Sequence, residues 1–361
     1  MKNTFPDYYK RFSCIADACP DTCCAGWGIV ADKESLDKYK KISGDFGKKI
    51  KSCLAVDDDG DTVFTPINNR CPFLLENGLC EMYIKLGHDN LCLTCRRYPR
   101  HITYFGSRCE TGLSLSCPEA ARIIMSSSTP IAFECESNNE PPVPTDIDAE
   151  LYFTLIEARK KAIDILQNRK FSIEARLCAF LLFSQEISPF IRSCDCRSIE
   201  KALVDNYFEY DLPSRSQRSV NGLRKKLFAD FRQLETLDDS IKELSFAAEK
   251  ANTAAYTAKN RQNEWEYEHL LVYFVFRYFM TAVFDGDLLV KSKFTAAAFI
   301  IIKKLQAAEN ADKCRRVQII RRFSKEVEHS DFNMKFLNGE MKRSRCYDIK
   351  NLINLITENQ L

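Results

Sequence analysis

With 361 residues, the chain is long enough for a large hydrophobic core and for two domains, since domains commonly hold about 100–200 residues. Hydrophobic residues make up 45% of the chain and charged residues 28%, a composition that excludes global disorder. The net charge of +2 creates no long-range field that would favour nucleic acid, so we expect no nucleic-acid partner.

Cysteine is distributed unevenly along the chain, with twelve of the seventeen cysteines in residues 1–135. This asymmetry predicts a Cys-rich metal-binding module at 1–135 and an ordinary domain at 146–361. The segment 136–145 contains three prolines and several turn-forming residues, so we interpret it as the linker between them.

The cellular location follows from two features of hydropathy. The chain begins MKNTFPDYYKRFSC, without the apolar segment of a secretory signal, so we expect a cytoplasmic protein with thiols that bind metal rather than form disulfides. The most apolar stretch, residues 270–284, contains Arg277 and is shorter than the roughly 18–20 residues that span a bilayer. We therefore expect no membrane contact.

The first thirty residues carry an upstream group of cysteines in a loop-rich stretch, FSCIADACPDTCCAGWGI. Its members are Cys14, Cys19, Cys23 and Cys24. Adjacent cysteines seldom serve packing, because neighbouring side chains point in different directions. Trp27 is expected either to cover a metal cluster or to be an ordinary core residue. Residues 31–42 predict a short exposed helix, and the acidic run Asp57–Asp61 lacks the ligand spacing of a calcium loop.

The stretch from Arg70 to Pro99 contains four more cysteines, and glycines that can turn the backbone. These cysteines are Cys71, Cys80, Cys92 and Cys95. With the upstream group they predict one metal centre assembled from two segments. Cys109 and Cys117, in a strand predicted over 101–118, could complete the site or bind nothing. Shorter strands are predicted at 62–66 and 82–85.

After the linker, apolar residues recur at spacings of three and four, which predicts helices. Asp146 or Asp148 can cap the first of them. Turns are expected at 209–213 and 285–287, and further helices at 172–190, 196–208, 214–246, 262–284, 292–309, 312–329 and 347–358. The predicted fold is mainly α, with the loop-rich Cys-cluster module packed on a larger all-helical domain. Neither GxGxxG nor GxxxxGK[ST] occurs, so a standard nucleotide-phosphate loop is not indicated.

The number and spacing of the cysteines indicate which metal the site would bind. Zinc commonly takes two CxxC pairs, and only Cys92 and Cys95 have that spacing here. More cysteines are present than one zinc needs, and His88 and His101 are interpreted as surface or hydrogen-bonded side chains. We therefore predict a [4Fe–4S] cluster, with zinc as the alternative. Its ligands would be drawn from Cys19, Cys23, Cys24, Cys71, Cys80, Cys92 and Cys95.

Four pieces of the sequence resemble the signature of the YkgJ-type cysteine-cluster proteins, which are assigned as zinc- or iron-binding. The pieces are CPDTCC from Cys19, CPFL from Cys71, GLCEMY from Gly78 and CRRYP from Cys95. Together with the long helical extension, they resemble the flagellin lysine N-methylase family known as FliB. The motifs cover about residues 12–118.

This resemblance implies methyl transfer from S-adenosylmethionine to lysine ε-amines of flagellin, by an enzyme with an iron–sulfur cluster. The radical CxxxCxxC motif is absent, because the third cysteine would have to stand where Gly26 is. A neutral lysine amine can attack the sulfonium methyl directly, so a polar transfer suffices. The ammonium pKa, near about 10.4, then demands a carboxylate or tyrosine base, which the sequence does not identify.

Candidate contacts to S-adenosylmethionine are Arg96, Arg97 and Tyr98, with Tyr83 and Arg100 less favoured, because arginine pairs with carboxylates. They could equally brace the cluster loops. We further expect the cluster to fold its module without supplying electrons, and an open iron could bind the cofactor's amino and carboxylate groups. The alternative to an enzyme is a metal-binding or redox-sensing module with a helical domain that binds a partner protein. Oligomeric state is not indicated.

Overall fold

The computed structural model describes residues 1–57, 60–209 and 217–358. The strands of the chain are Lys2–Pro6 (β1), Ile29–Val30 (β2), Leu54–Val56 (β3), Thr62–Phe64 (β4), Arg100–Phe105 (β5), Arg108–Leu113 (β6) and Phe133–Ser137 (β7). The helices of the Cys-rich part are Lys33–Lys40 (α1), Gly44–Ser52 (α2), Glu81–Leu86 (α3), Leu93–Arg97 (α4) and Pro118–Ile124 (α5).

The remainder of the described chain is helical. Its helices are Ala149–Leu166 (α6), Ile173–Arg192 (α7), Cys196–Ala202 (α8), Gln217–Arg232 (α9), Ser240–Lys250 (α10), Thr253–Asn260 (α11), Glu264–Tyr278 (α12), Ala282–Asp285 (α13), Leu288–Ala308 (α14), Lys313–Val327 (α15), Asp331–Arg343 (α16) and Ile349–Ile356 (α17). The predicted mainly α fold with a loop-rich Cys-rich N-terminal part is confirmed. The Asp148 carboxylate caps α6 by accepting a hydrogen bond from the Leu151 amide at 2.7 Å.

Two small sheets lie in the N-terminal part. One has the order β5-β6-β1-β7, in which β1 runs parallel to β6 and antiparallel to β7. The other has the order β2-β4-β3. β5 and β6 form a hairpin around Gly106, where a φ of +66° suits glycine. Because β1 lies between β6 and β7, the first residues of the chain are held inside a sheet.

The hydrophobic residues form two cores. The small core belongs to residues 29–92 and includes Tyr39, Phe64 and Phe73. The large core is formed by the helices together with the β5–β6 hairpin and α5. α14 is its central helix, since it contacts α7, α10, α12, α15, α16 and α17. Part of the Cys-rich region therefore packs directly into the helical core.

Several local predictions differ from the structure. Residues 82–85, predicted as a strand, lie in α3, because Met82 and Leu86 are one helical turn apart and both pack on the small core. The strand predicted over 101–118 is the β5–β6 hairpin. The helices α11 and α16 were not predicted.

The helix predicted over 214–246 is divided between α9 and α10. The backbone amides in the break find partners elsewhere: Glu235 donates to Asn333 Oδ1 at 2.8 Å, and Leu237 donates to Glu326 Oε2 at 2.6 Å. These partners come from α15 and α16, so tertiary contacts offset the loss of helical hydrogen bonds. The start of this helix at 214–216, most of the turn at 209–213, and residues 58–59 of the acidic run lie outside the described residues.

None of the helices in the described ranges combines the length and the hydropathy needed to cross a bilayer.

A buried ion pair joins the sheet to the helical part. Arg159 on α6 donates two hydrogen bonds of 2.5 Å to Glu110 on β6, and the two side chains are only 8% and 7% exposed. Both charges are removed from water, so each depends on the other for compensation.

Glu110→Ala should therefore lower the free energy of unfolding by about 3–5 kcal/mol, because Arg159 would be left buried and unpaired. Asp37→Ala is the control, since Asp37 pairs with Lys40 at the surface and should change stability by about 0.5 kcal/mol or less. Urea unfolding followed by circular dichroism measures both. Equal effects of the two substitutions would contradict this role of the Glu110–Arg159 pair.

Candidate metal centre and the adjoining interface

Five thiols line one cavity of about 20 Å³ in the small core. We call them the first cysteine group: Cys24, Cys71, Cys80, Cys92 and Cys95. The rest of the lining is Ile29, Tyr39, Phe64, Phe73, Met82 and Leu91. The cavity therefore offers sulfur donors inside an apolar wall.

Short backbone contacts bring these thiols together from distant parts of the sequence. The Cys71 amide donates to the Cys24 carbonyl at 2.7 Å, which joins the upstream loop to the central stretch. Cys80 directly precedes α3, and Cys92 directly precedes α4. Asp32 caps α1 and also accepts a 2.6 Å hydrogen bond from the amide of Leu93, the first residue of α4. Its carboxylate therefore holds the first turns of α1 and α4 together.

The cavity affects its thiols unequally. Hydrogen bonds from the neighbouring thiols of Cys23 and Cys95 lower the pKa of Cys24, to about 7, and that of Cys92, whereas burial opposes deprotonation of two others. Burial raises the pKa of the Cys71 thiol to about 12, and the nearby thiols of Cys24 and Cys80 add to the rise. Burial also raises the pKa of the Cys80 thiol. Deprotonation of these groups near neutral pH therefore requires a compensating positive charge inside the cavity, such as a metal ion.

The donor set fits a thiolate-ligated metal centre. Soft sulfur ligands in an apolar pocket suit iron–sulfur clusters and zinc, and five thiols exceed the four that one such centre usually takes. Among the described residues, no group of three or more Cys, His, Asp or Glu side chains has the geometry of a metal site in this structure. The fit accordingly rests on donor chemistry and a shared cavity.

Two of the predicted ligands, Cys19 and Cys23, lie outside the lining of this cavity. The Cys23 thiol is 3.9 Å from the Cys24 thiol but is exposed. Cys117 is buried near Cys14 and Cys19, and burial raises the pKa of its thiol to about 11. The upstream loop thus contributes Cys24 to the first cysteine group and holds the Cys23 thiol beside it, whereas Cys19 lies near Cys14 and Cys117. The role of Cys19 and Cys23 as ligands stays a prediction.

The upstream loop also docks on the helical part. Its Asp21 carboxylate pairs with Arg321 and, at 3.0 Å, with Lys325 of α15. The Lys325 ammonium in turn lies 5.3 Å from the centre of the Trp27 ring. Gly26 adopts a φ of +101°, and a Cβ there would lie 2.6 Å from the Leu237 side chain. A cysteine at position 26 would therefore be strained, which agrees with the absence of the radical motif.

A polar network fills the interface beside Trp27. His329 Nε2 lies 2.9 Å from Ser114 Oγ and 2.8 Å from Ser116 Oγ, and its ring stacks on Trp27 with centroids 5.3 Å apart. The Tyr98 hydroxyl joins the same network, 3.0 Å from Ser116 Oγ. Trp27 is half-buried, and it packs between the small core and this network.

Deeper in the interface, the buried Glu328 carboxylate meets three groups on α12. It accepts hydrogen bonds from the hydroxyls of Tyr273 and Tyr278, at 3.0 Å and 2.7 Å, and forms an ion pair with Arg277, whose Nε lies 3.1 Å away. Burial raises the pKa of both phenols, so both tyrosines stay protonated at neutral pH. These two phenols therefore act as hydrogen-bond donors and not as general bases.

Sequence reasoning missed this network, although one signal was present. Arg277 interrupts the most apolar stretch of the chain, where a charge is costly unless it is paired. In the structure its Nη1 atom is buried without a hydrogen-bond partner. An arginine inside an apolar helix was thus the sequence feature that marked a buried polar site.

The predicted cofactor contacts point in different directions. Tyr98 faces Ser116 and lies 6.1 Å from Trp27 by ring centroids, while Arg97 Nη2 reaches the Tyr104 hydroxyl at 3.5 Å. Arg96 Nε is buried without a hydrogen-bond partner. These contacts are consistent with bracing of the loops, and contact with a cofactor stays a prediction.

Comparison with known proteins places the helical part in one family. Residues 159–355 match the model of the FliB lysine N-methylase C-terminal domain. A lysine-N-methylase of Salmonella typhimurium is 26% identical over 210 residues, 53% of this chain and 49% of that protein, and its namesake from Salmonella choleraesuis has the same values. The flagellar biosynthetic protein FliU of Salmonella muenchen is 30% identical over 134 residues, 34% of this chain and 76% of that protein.

The chain spans about half the length of the two lysine-N-methylases that it matches. No solved structure matches the chain.

His101 should make stability depend on pH. Burial, together with the charges of Arg277 and His329, holds its pKa well below the ordinary value, and its ring fills the space over Gly112, where a Cβ would lie 2.5 Å away. The folded state keeps this imidazole neutral while the unfolded chain takes up a proton near about pH 6.5. Its contribution to stability is therefore complete above that pH and is lost as the pH falls.

His101→Leu should accordingly flatten the fall in the free energy of unfolding between about pH 6.5 and 5. His88→Leu is the matched control, because the His88 side chain is 58% exposed, and it should keep the slope of the unmodified protein. Chemical unfolding at a series of pH values measures the slopes. An unchanged slope in His101→Leu would refute a neutral buried His101.

Proposed function

Because this chain belongs to the FliB lysine N-methylase family, we propose that it methylates lysine side chains of flagellin with S-adenosylmethionine as donor. The observation that carries the proposal is the family match over residues 159–355. Two relatives are named lysine-N-methylase, which supports a lysine acceptor. A third is named a flagellar biosynthetic protein, which supports a flagellar target.

The transfer is polar. The lone pair of a neutral lysine amine forms the new N–C bond, the S–C bond of the sulfonium breaks, and S-adenosylhomocysteine leaves with the electron pair. A proton must leave the lysine nitrogen, and the raised pKa values of Tyr273 and Tyr278 make them donors at neutral pH. The base is accordingly a carboxylate or a water molecule rather than one of these phenols.

The first cysteine group is the proposed ligand set of a [4Fe–4S] cluster, with zinc as the alternative. When bound, the cluster supplies the positive charge that compensates the thiolates and a crosslink between the upstream loop, α3 and α4. The protein's own residues have two further roles. The apolar lining of the thiol cavity excludes water, and Asp21 fixes the upstream loop on α15. The cluster has a folding role here and supplies no electrons.

Methyl transfer can be tested directly with anaerobically purified protein, labelled S-adenosylmethionine and flagellin. Label should appear on flagellin lysines. Cys71→Ser should abolish transfer, because it removes a buried thiol of the first cysteine group, whereas the exposed Cys314→Ser should retain it. No label on flagellin from protein with an intact cluster would favour the alternative, a metal-binding or redox-sensing module that binds a partner.

The polar mechanism predicts no need for a reductant once the cluster is assembled. The product should be intact S-adenosylhomocysteine, quantified by chromatography beside the methylated flagellin. An absolute demand for a strong reductant, with 5′-deoxyadenosine as product, would overturn the mechanism.

The metal assignment predicts iron and sulfide in the anaerobic protein, together with a brown colour. Cys71→Ser and Cys92→Ser should lose most of the iron, and Cys314→Ser should retain it, since Cys314 is exposed on α15. Element analysis and sulfide assay measure the content. A colourless protein that contains zinc and no sulfide would replace the cluster with a zinc site.

A further inference from the structure

A cleft of about 280 Å³ opens on the helical part, between the start of α14 and the side of α16. Its volume is close to the lower end of the range, about 300–1,000 Å³, that is typical of small-molecule sites. The lining residues that matter here are Tyr278, Asp285, Asp287, Lys291, Phe294 and Lys342. All of them lie within the part of the chain that matches the family.

The charged lining is balanced. Lys291 Nζ lies 2.7 Å from both carboxylate oxygens of Asp285. Asp287 pairs with Lys342 at 2.5 Å and, from outside the cleft, with Arg192 at 2.9 Å. Two carboxylates and two ammonium groups thus face one space, which suits a ligand that carries both charges. A polyphosphate would find only two cations there, each already paired with a carboxylate.

The other wall of the cleft is aromatic. The rings of Tyr278 and Phe294 meet edge to face, with centroids 5.6 Å apart and planes at 84°. Phe294 is only 2% exposed, so it supports the Tyr278 ring from inside the core. A flat heterocycle can pack on the half-buried Tyr278, and the Asn338 side chain in the same lining offers an amide donor and acceptor. The cleft therefore combines features that suit a nucleoside base with features that suit an amino-acid zwitterion.

The aromatic wall is rigid because its tyrosine is anchored. The Tyr278 hydroxyl donates to Glu328 at 2.7 Å and accepts from Arg277 Nε at 3.0 Å. These contacts belong to the buried network at the interface with the Cys-rich part. One residue consequently forms part of both the cleft and that interface.

We propose that this cleft binds the methyl donor, S-adenosylmethionine. The adenine packs against Tyr278, the ribose hydroxyls donate to the aspartates, and the amino-acid carboxylate accepts from Lys342. This inference rests on the proposed function, and it locates the donor on the helical part instead of on an open iron of the cluster. The site belongs to residues that carried no motif in the sequence.

Binding of S-adenosylhomocysteine to the full chain tests the assignment without turnover. In calorimetry, Lys342→Gln and Asp287→Asn should each weaken binding about tenfold, because each removes a charge-assisted contact. Lys335→Gln is the matched control, since Lys335 is exposed on the same helix α16 outside the cleft, and it should bind like the unmodified chain. Thermal unfolding of each variant verifies that the fold is retained.

A second readout is photochemical. Ultraviolet cross-linking of labelled S-adenosylmethionine should mark a peptide that contains Tyr278, and excess ATP should not compete. Binding by the unmodified chain that is unaffected in both cleft variants, or cross-links confined to residues 1–135, would overturn the cleft while leaving the proposed function in place. Failure of the unmodified chain to bind S-adenosylhomocysteine would overturn both.

Discussion

The carboxylate of Glu328 is the point on which the interface depends. It is fully buried at the end of α15 and is stabilised by hydrogen bonds from Tyr273 and Tyr278 and by an ion pair with Arg277, all on α12. A buried charge is tolerated only when its partners satisfy it, so these four groups are interdependent. Tyr273 also accepts a 3.4 Å hydrogen bond from the Leu115 amide, which extends the network into the Cys-rich part.

Further contacts beside this network join the two parts of the chain. Asp21 binds α15, Glu110 binds α6, and the β5–β6 hairpin shares the large core with the helices. The segment with the thiol-lined cavity keeps a small core of its own. The Cys-rich region is thus divided: residues 29–92 surround the thiols, whereas the hairpin and α5 belong to the helical core. The change in composition at 136–145 does not coincide with the division between cores.

The proposed metal centre and the proposed donor site are likewise divided between the two parts of the chain. The first cysteine group lies in the small core, the proposed donor cleft lies on the helices, and the interface network touches the cleft through Tyr278. Gly26 stands where a third cysteine of a radical motif would be, and its positive φ and the nearby Leu237 both disfavour a side chain. The geometry at Gly26 therefore bears only on the radical motif, which the proposal of polar transfer does without.

The sequence by itself determined the properties that depend on local pattern. Apolar spacing indicated most helices, Asp148 indicated the start of α6, and the order of the cysteine motifs indicated the family that residues 159–355 independently match. Those signals are local because capping and amphipathicity act within one or two helical turns. Even so, they did not find α16, and they misread α3 as a strand.

Only the tertiary structure decided which groups meet. It placed Cys24 in the lining of the thiol cavity and left Cys23 outside that lining, although the two sulfur atoms are only 3.9 Å apart. It divided α9 from α10 by offering Asn333 and Glu326 to the amides of the break. It also placed Glu328, at the end of α15, beside Arg277 of α12. Contacts between residues far apart in sequence have no local signature, so the interface network and the cleft emerged only from packing.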